Sequence, residues 1–396
     1  MKPLAFYTTL PPSASGIGQY SAELLPALLP HYAITAVLAD DAPPPDAPPA
    51  GLTIARDGHF AAAGPRLYQL GNSPEHAYIL ARAEREPGIL VLHDVVLQHL
   101  HVWRALHGGA AGAGCYRAEM TRRYGAAGAA AADDLLHNRP PAHPYARMPL
   151  SEGVVERSLA TIVHSRYARD TVLRQSPTAD VTIVPHGVPL LPPPDRAAAR
   201  AALGLPQNTL IVAALGNLIP EKRLEVALSA FARALYGVDE ALFVVAGTGS
   251  RHYDPRIFAR RHGLEPVTRW LGRVDAPTFA GVMAAADLCV NLRWPTGGET
   301  SGSFLRMLAA GRATLVSDAG AFAETPDDAC VTIPLDADEE AAIVAAIVRA
   351  GREPGWADRI GARAREFVGR KHSFARAAAG YRAVIERIAP TRTRSR

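Results

Sequence analysis

The sequence predicts an α/β protein of two domains, each built on a parallel sheet, and three observations carry that expectation. At 396 residues the chain is too long for one core and fits two domains of ordinary size. Continuous apolar runs of strand length alternate with segments of helical spacing, the pattern of strands buried on both faces. Glycines and polar residues gather directly after those runs, which places ligand chemistry at the carboxyl edge of a parallel sheet.

In chain order, Leu4-Ala5-Phe6-Tyr7 reads as the first strand. A glycine-rich loop over 11–21 follows, in which Gly16 and Gly18 can bring backbone amides close to a ligand. A Gly-x-Gly alone fits a structural turn as well, and its place after the first strand favours the ligand contact. The helix expected over 18–29 puts Leu24, Leu25 and Leu28 on one face, and the proline-rich segment 41–51 reads as a stiff surface loop. Two further apolar runs, Tyr68 to His76 and Gly88 to Leu97, break into polar residues and set Asn72, His93 and Asp94 at strand ends. Of the 14 histidines, His93 combines a strand end with an adjacent acid. His76, His99 and His101 read as structural residues of helix or loop surface, and His186 as one that shapes a hinge. Residues 107–150, rich in alanine and glycine, read as helices with mobile connections, and 189–195 as the domain boundary before a helix over 195–203.

The second half repeats the pattern. Leu210 to Leu215 is a buried strand; the loop Gly216 to Arg223 follows with two adjacent cations, and Leu224 to Leu235 has helical spacing, so the unit forms an anion cradle. Leu242 to Ala246 is a strand ending in Gly247-Thr248-Gly249, and Ala313 to Ser317 is another that runs into Asp318-Ala319-Gly320. Between them, Ala286 to Leu292 leads into Arg293-Trp294-Pro295-Thr296-Gly297-Gly298-Glu299-Thr300-Ser301-Gly302-Ser303, a loop that opens a short helix ended by Gly311. Free N–H groups at such a helix start, with the positive end of its dipole, attract anions. Glu299 is the odd member of that loop, and a polyhydroxylated sugar carried on a phosphate would use both features.

These segments resemble glycosyltransferase family 4, whose members have the GT-B fold of two Rossmann-like domains with parallel sheets facing a central cleft. The resemblance covers most of the chain. It implies an acceptor-side domain over 1–188, a nucleotide-sugar donor domain over 189–372, and over 373–396 a helix returning to the first domain plus a basic tail. The family's Gly-Arg-x-x-x-Glu-Lys-Gly segment appears as Gly216 to Arg223, with the lysine matched at Lys222 and the arginine replaced by Asn217. Arg223 or Arg293 would then supply the missing charge. Of the family's Glu-x7-Glu pattern the first member matches Glu299, while Met307 stands at the second, so ribose recognition must differ. By resemblance His93, Lys222 and Glu299 are the catalytic set, Gly16, Gly18, Asn217, Arg223, Gly247, Arg293, Thr300, Ser301, Gly302 and Ser303 bind the donor, and Asn72 and Asp94 lie on the acceptor side. Segments 68–76 and 88–97 resemble the members associated with bacterial surface polysaccharides. The implied reaction retains the anomeric configuration, and the domains would close about 189–195 around the donor.

Composition bounds the partners. The net charge of +4 is modest, and no concentrated basic face with interleaved aromatics points to nucleic acid. An acidic donor, a glycan or lipid-linked acceptor and peripheral contact with the inner membrane surface fit the basic lean and the tail Arg392 to Arg396, although a solvated tail is the plainer reading of those residues. No apolar stretch of 18 residues and no signal-peptide pattern occur, so a cytoplasmic location is expected. Cys115, Cys289 and Cys330 are expected to be free thiols, and no metal or other cofactor is implied. A nucleotide-sugar 2-epimerase and a noncatalytic sugar-nucleotide binding protein share the architecture, whereas a nicotinamide oxidoreductase lacks its third glycine after Gly18.

Overall fold

The computed structural model describes residues 1–13, 15–139, 147–190, 192, 195–250 and 253–388. The basic tail 392–396, part of the boundary 189–195 and the Pro140-Pro141 pair lie outside the described residues. The chain divides into two compact units, one of residues 1–187, 297–300 and 374–396, the other of residues 188–296 and 301–373.

The first unit contains β1 (Lys2–Tyr7), α1 (Gly16–Leu28), β2 (Tyr32–Leu38), β3 (Thr53–Arg56), β4 (Arg66–Leu70), α2 (Ala77–Arg85), β5 (Ile89–Leu92), α3 (Gln98–His107), α4 (Gly109–Leu136), α5 (Glu152–Arg157), β6 (Ala160–Val163), α6 (Arg166–Gln175) and β7 (Val181–Ile183). Its seven strands pair in the order β3-β2-β1-β4-β5-β6-β7, and every pairing is parallel. Alternation along β1 sends Leu4 and Phe6 to one face and Ala5 and Tyr7 to the other, and each face is covered. The second unit contains α7 (Arg196–Leu203), β8 (Leu210–Leu215), α8 (Leu224–Ala234), β9 (Ala241–Ala246), α9 (Pro255–Arg261), β10 (Thr268–Gly272), α10 (Ala276–Ala285), β11 (Leu288–Asn291), α11 (Gly302–Ala309), β12 (Ala313–Ser317), β13 (Val331–Ile333), α12 (Glu339–Arg352) and α13 (Trp356–Lys371). Its parallel order is β10-β9-β8-β11-β12-β13. A last helix, α14 (Phe374–Ile388), packs on α1 in the first unit through Ala377, Ala378, Tyr381, Val384 and Ile385.

Both orders reverse direction beside their first strand, between β1 and β4 and between β8 and β11. Strand connections diverge to opposite faces there and leave a crevice at the carboxyl ends, where open α/β sheets bind ligands. Within the segment read as helices with connections, α3 ends at His107 and α4 runs over Gly109–Leu136 with a non-helical break at Gly125 (φ 62°). One expectation needs correction. His76 is buried at 1% exposure and hydrogen-bonds Ser73 Oγ through Nδ1, so it is not a surface residue.

Candidate active site

In the second unit, the β8 end carries Lys222. Gly216 has φ 100°, and a side chain there would lie 2.5 Å from Lys222 Nζ, so the glycine both allows the turn and lets the lysine arch back over it. Lys222 Nζ donates to Leu215 O at 3.2 Å, which fixes the ammonium beside the strand terminus. Arg223 is turned the other way, its Nε donating to Glu339 Oε1 at 2.6 Å, so its charge is committed within the fold rather than offered to a phosphate. Gly247 follows β9, where a Cβ would meet Gly216 O at 2.0 Å. Close packing of the two loops is by itself a sufficient reason for that glycine.

Next to β8 in the sheet, β11 ends in Asn291 and feeds α11. Ser301 caps α11, its Oγ accepting from Phe304 N at 3.2 Å, and Gly302 opens the first turn without a side chain. Asn291 Oδ1 accepts from Ser301 Oγ and Ser303 Oγ, each at 3.4 Å, so strand end and helix start are stitched together. Asn291 is 5% exposed, and its Nδ2 has no hydrogen-bond partner among the described residues, which leaves a buried donor beside the helix terminus. Upstream, Arg293 N donates to Ser317 Oγ at 2.9 Å and Trp294 N to Glu221 O at 2.7 Å, tying the loop to β12 and to the Lys222 turn. Met307 is fully buried against Ile211, Ala213 and Cys289, so that position faces the core and offers nothing to a ribose.

Residues 297–300 group with the first unit. Val95 N and Val96 N both donate to Gly297 O at 3.0 Å, and Glu299 Oε2 accepts from Gly297 N at 2.8 Å, so the carboxylate folds back over its own loop beside Thr300. The expectation that the whole Glu299 loop belongs to the second domain is therefore corrected.

Within the first unit, His93 and His164 follow adjacent strands β5 and β6, with ring centroids 4.8 Å apart. Tyr20 of α1 lies 5.2 Å from His93 and 4.2 Å from His186. Gln69 Oε1 can only accept, so His93 donates from Nε2 at 2.6 Å and keeps Nδ1 as a lone-pair acceptor. Tyr20 donates to the Tyr381 hydroxyl at 3.2 Å, which ties α14 into the cluster. His164 Nδ1 donates to Val184 O at 2.8 Å. Burial is the main cause that lowers all these basicities: His93 lies well below the usual histidine value, with His164, His186 and His76 adding repulsion, and His164 and His76 are each pushed down to about 4. His93 is thus a neutral hydrogen-bonding group at neutral pH.

Asn72 and Asp94 are brought together. Asn72 N donates to Asp94 Oδ2 at 2.8 Å, and Asn72 Oδ1 accepts from Leu100 N at 3.1 Å in the first turn of α3. Gly16 opens α1 with empty space around it, whereas a Cβ at Gly18 would touch Thr9 at 3.0 Å. Sequence reading missed His164, Gln69, Tyr20, Tyr381 and Asn291. For His164 and Asn291 the signal was present, since each ends an apolar strand run as His93 does.

The parallel sheets with reversed strand order, and a lysine and a helix start on neighbouring strand ends, define a class. The fold is that of GT-B glycosyltransferases, and residues 209–352 match the family model described as glycosyl transferases group 1. Among individual relatives, a D-inositol 3-phosphate glycosyltransferase from Stackebrandtia nassauensis is 28% identical over 292 residues, a match covering 68% of this chain and 62% of that protein. The chain thus spans less than two thirds of that relative's length. Sucrose-phosphate synthase from Thermosynechococcus elongatus superposes with a TM-score of 0.68 at 17% identity, covering 98% of this chain and 99% of the other. Anabaena HepE in complex with UDP and glucose superposes with a TM-score of 0.66 at 11% identity, covering 98% and 100%. Among the described residues no helix is long and apolar enough to cross a membrane.

Proposed function

We propose that this protein is a retaining glycosyltransferase that moves a sugar from a nucleoside diphosphate to a glycan or lipid-linked acceptor in bacterial surface polysaccharide synthesis, at the cytoplasmic face of the membrane. The single observation that carries the reading is the pairing of β8 with β11, which sets Lys222 and the start of α11 on neighbouring strand ends at the point where the strand order reverses. The group 1 match over 209–352 spans both of these strand ends, and the solved HepE complexes hold UDP and UDP-glucose.

Transfer breaks the bond between the anomeric carbon and the phosphate oxygen, and its electron pair stays on the departing diphosphate. The acceptor oxygen forms the new bond to that carbon on the same face, and its proton passes to the departing phosphate oxygen, so no protein nucleophile is needed. Lys222, the free amides of α11 and Asn291 Nδ2 would stabilise the charge growing on the phosphate. Preorganised donors of this kind contribute roughly 3–4 kcal/mol each in the transition state. Glu299 would hold donor-sugar hydroxyls, and neutral His93 would accept a hydroxyl hydrogen bond at Nδ1. The donor charge is met by protein groups, so the reading requires no metal.

The test is turnover of nucleoside-diphosphate sugars with a lipid-linked or glycan acceptor, followed by the anomeric configuration of the product. A retained configuration supports the reading, and donor binding without transfer to any acceptor would favour a noncatalytic sugar-nucleotide binding protein. Asn217 and the core-facing Met307 give that second reading its support, because two of the contacts expected by resemblance are absent.

A further inference from the structure

A cavity of about 940 Å³ lies within the first unit, walled by α2, α3, α4 and α5. Its size is at the upper end of small-molecule sites, which run to ~1,000 Å³. It stands apart from the strand-end site. Glu84 on its wall belongs to the last turns of α2, and Arg157 ends α5; these helices deliver the chain to the amino ends of β5 and β6, away from the carboxyl ends that carry His93 and His164.

The wall chemistry is selective. Arg104 grips both oxygens of Glu84 at 3.0 Å each, Arg122 grips both oxygens of Glu119, and Arg123 bridges Glu119 and Glu156. Guanidinium and carboxylate groups therefore alternate in fixed, planar geometry, with the Glu119 carboxyl held down to about 2 by Arg122 and Arg123. Arg157, exposed at the rim, has no ion-pair or hydrogen-bond partner among the described residues, and His101 Nε2 is a buried nitrogen also without one. Four arginines against three glutamates leave one positive charge uncompensated.

A polyanion would collide with three fixed carboxylates, and a hydrocarbon would have to strip water from every ion pair. A row of hydroxyls can donate to the carboxylates and accept from the guanidiniums at the same positions, and one acidic group satisfies Arg157. We propose that this cavity is a second, noncatalytic site that binds a short acidic oligosaccharide, with the sugar hydroxyls on the Arg–Glu pairs and a uronate carboxylate on Arg157. The ligand class follows from the wall and does not depend on the assignment of the donor site.

Calorimetric titration of the full chain with aldotriouronate, a trisaccharide with a single uronate, and with maltotriose and inorganic phosphate tests this. Aldotriouronate is expected to bind more tightly than the other two, and Arg157→Ala to weaken it about tenfold, as loss of one charge-assisted hydrogen bond worth about 1.5 kcal/mol would do. Arg157→Lys should restore most of the affinity, and Lys222→Ala should leave it unchanged. Arg157 is exposed, so its variants should keep the wild-type melting temperature; Arg104→Gln, which opens the Glu84 pair on the opposite wall, gives an independent reading. Equal binding of phosphate, displacement of aldotriouronate by UDP, or no heat with aldotriouronate at millimolar concentration would each overturn the proposal. Loss of donor turnover with aldotriouronate binding intact would strike the proposed function and leave this site standing.

Discussion

At the end of β8 a lysine arches over a glycine and keeps its charge beside a helix start, whereas at the ends of β5 and β6 two histidines lie buried against each other and lose theirs. The carboxyl edges of the two sheets thus serve two chemistries. One prepares a positive surface for a diphosphate, and the other a neutral, hydrogen-bonding wall suited to hydroxyls. Residue type and surroundings act together: an ordinary lysine is charged at neutral pH and Lys222 stays half-exposed in the turn after Gly216, while an ordinary histidine titrates near 6.5 and Tyr20, Gln69 and Tyr381 close over the imidazoles.

The contrast is broken most forcefully by acid. Burial holds His76 and His164 near 4 and His93 well below its ordinary value, against about 6.5 in an unfolded chain. Between those values the unfolded chain binds more protons, so stability is complete above about pH 6.5 and is lost as pH falls toward 4. Three such groups give a slope of up to about 4 kcal/mol per pH unit. The melting temperature should be flat from pH 7 to 8 and drop steeply by pH 5; a rise on acidification would contradict neutral histidines.

Next in size is Lys222→Ala, which should lower transfer about 100-fold or more with the fold intact, as removal of a transition-state charge partner does. Near-normal turnover would remove the lysine from the site. Glu299→Gln should reduce transfer by about tenfold while leaving nucleoside diphosphate affinity unchanged, since the carboxylate is assigned to sugar hydroxyls. Equal loss of both would instead make the bond from Gly297 N the reason for the residue. The smallest effect is expected for Arg223→Ala. Because its guanidinium is spent on Glu339, donor affinity should change less than about threefold, roughly 0.6 kcal/mol. A larger loss in a variant of unchanged melting temperature would return Arg223 to the phosphate.

The second unit was more legible in the sequence than the first, and locality is the reason. Gly216 to Arg223 and the loop into α11 are each contiguous, so strand, turn and helix start can be read in one window. The strand Ala313–Ser317 was read to the residue, and the α11 cap and stop at Ser301 and Gly311 follow from local chemistry. The histidine cluster joins Tyr20, Gln69, His93, His164, His186 and Tyr381, residues from six separate stretches that only the sheet order brings together. Arg223 shows the converse limit. Its neighbour in sequence suggested a phosphate ligand, whereas its guanidinium pairs with Glu339, 116 residues away.

The most direct test of the donor assignment is thermal denaturation of the wild type and of Lys222→Ala with UDP, GDP, ADP and dTDP. One nucleotide should stabilise the wild type by about 2.7 kcal/mol at 100 times its dissociation constant, and Lys222→Ala should lose most of that shift at the same concentration. No shift with any nucleotide, or an equal shift in both proteins, would contradict a diphosphate held at the β8 end.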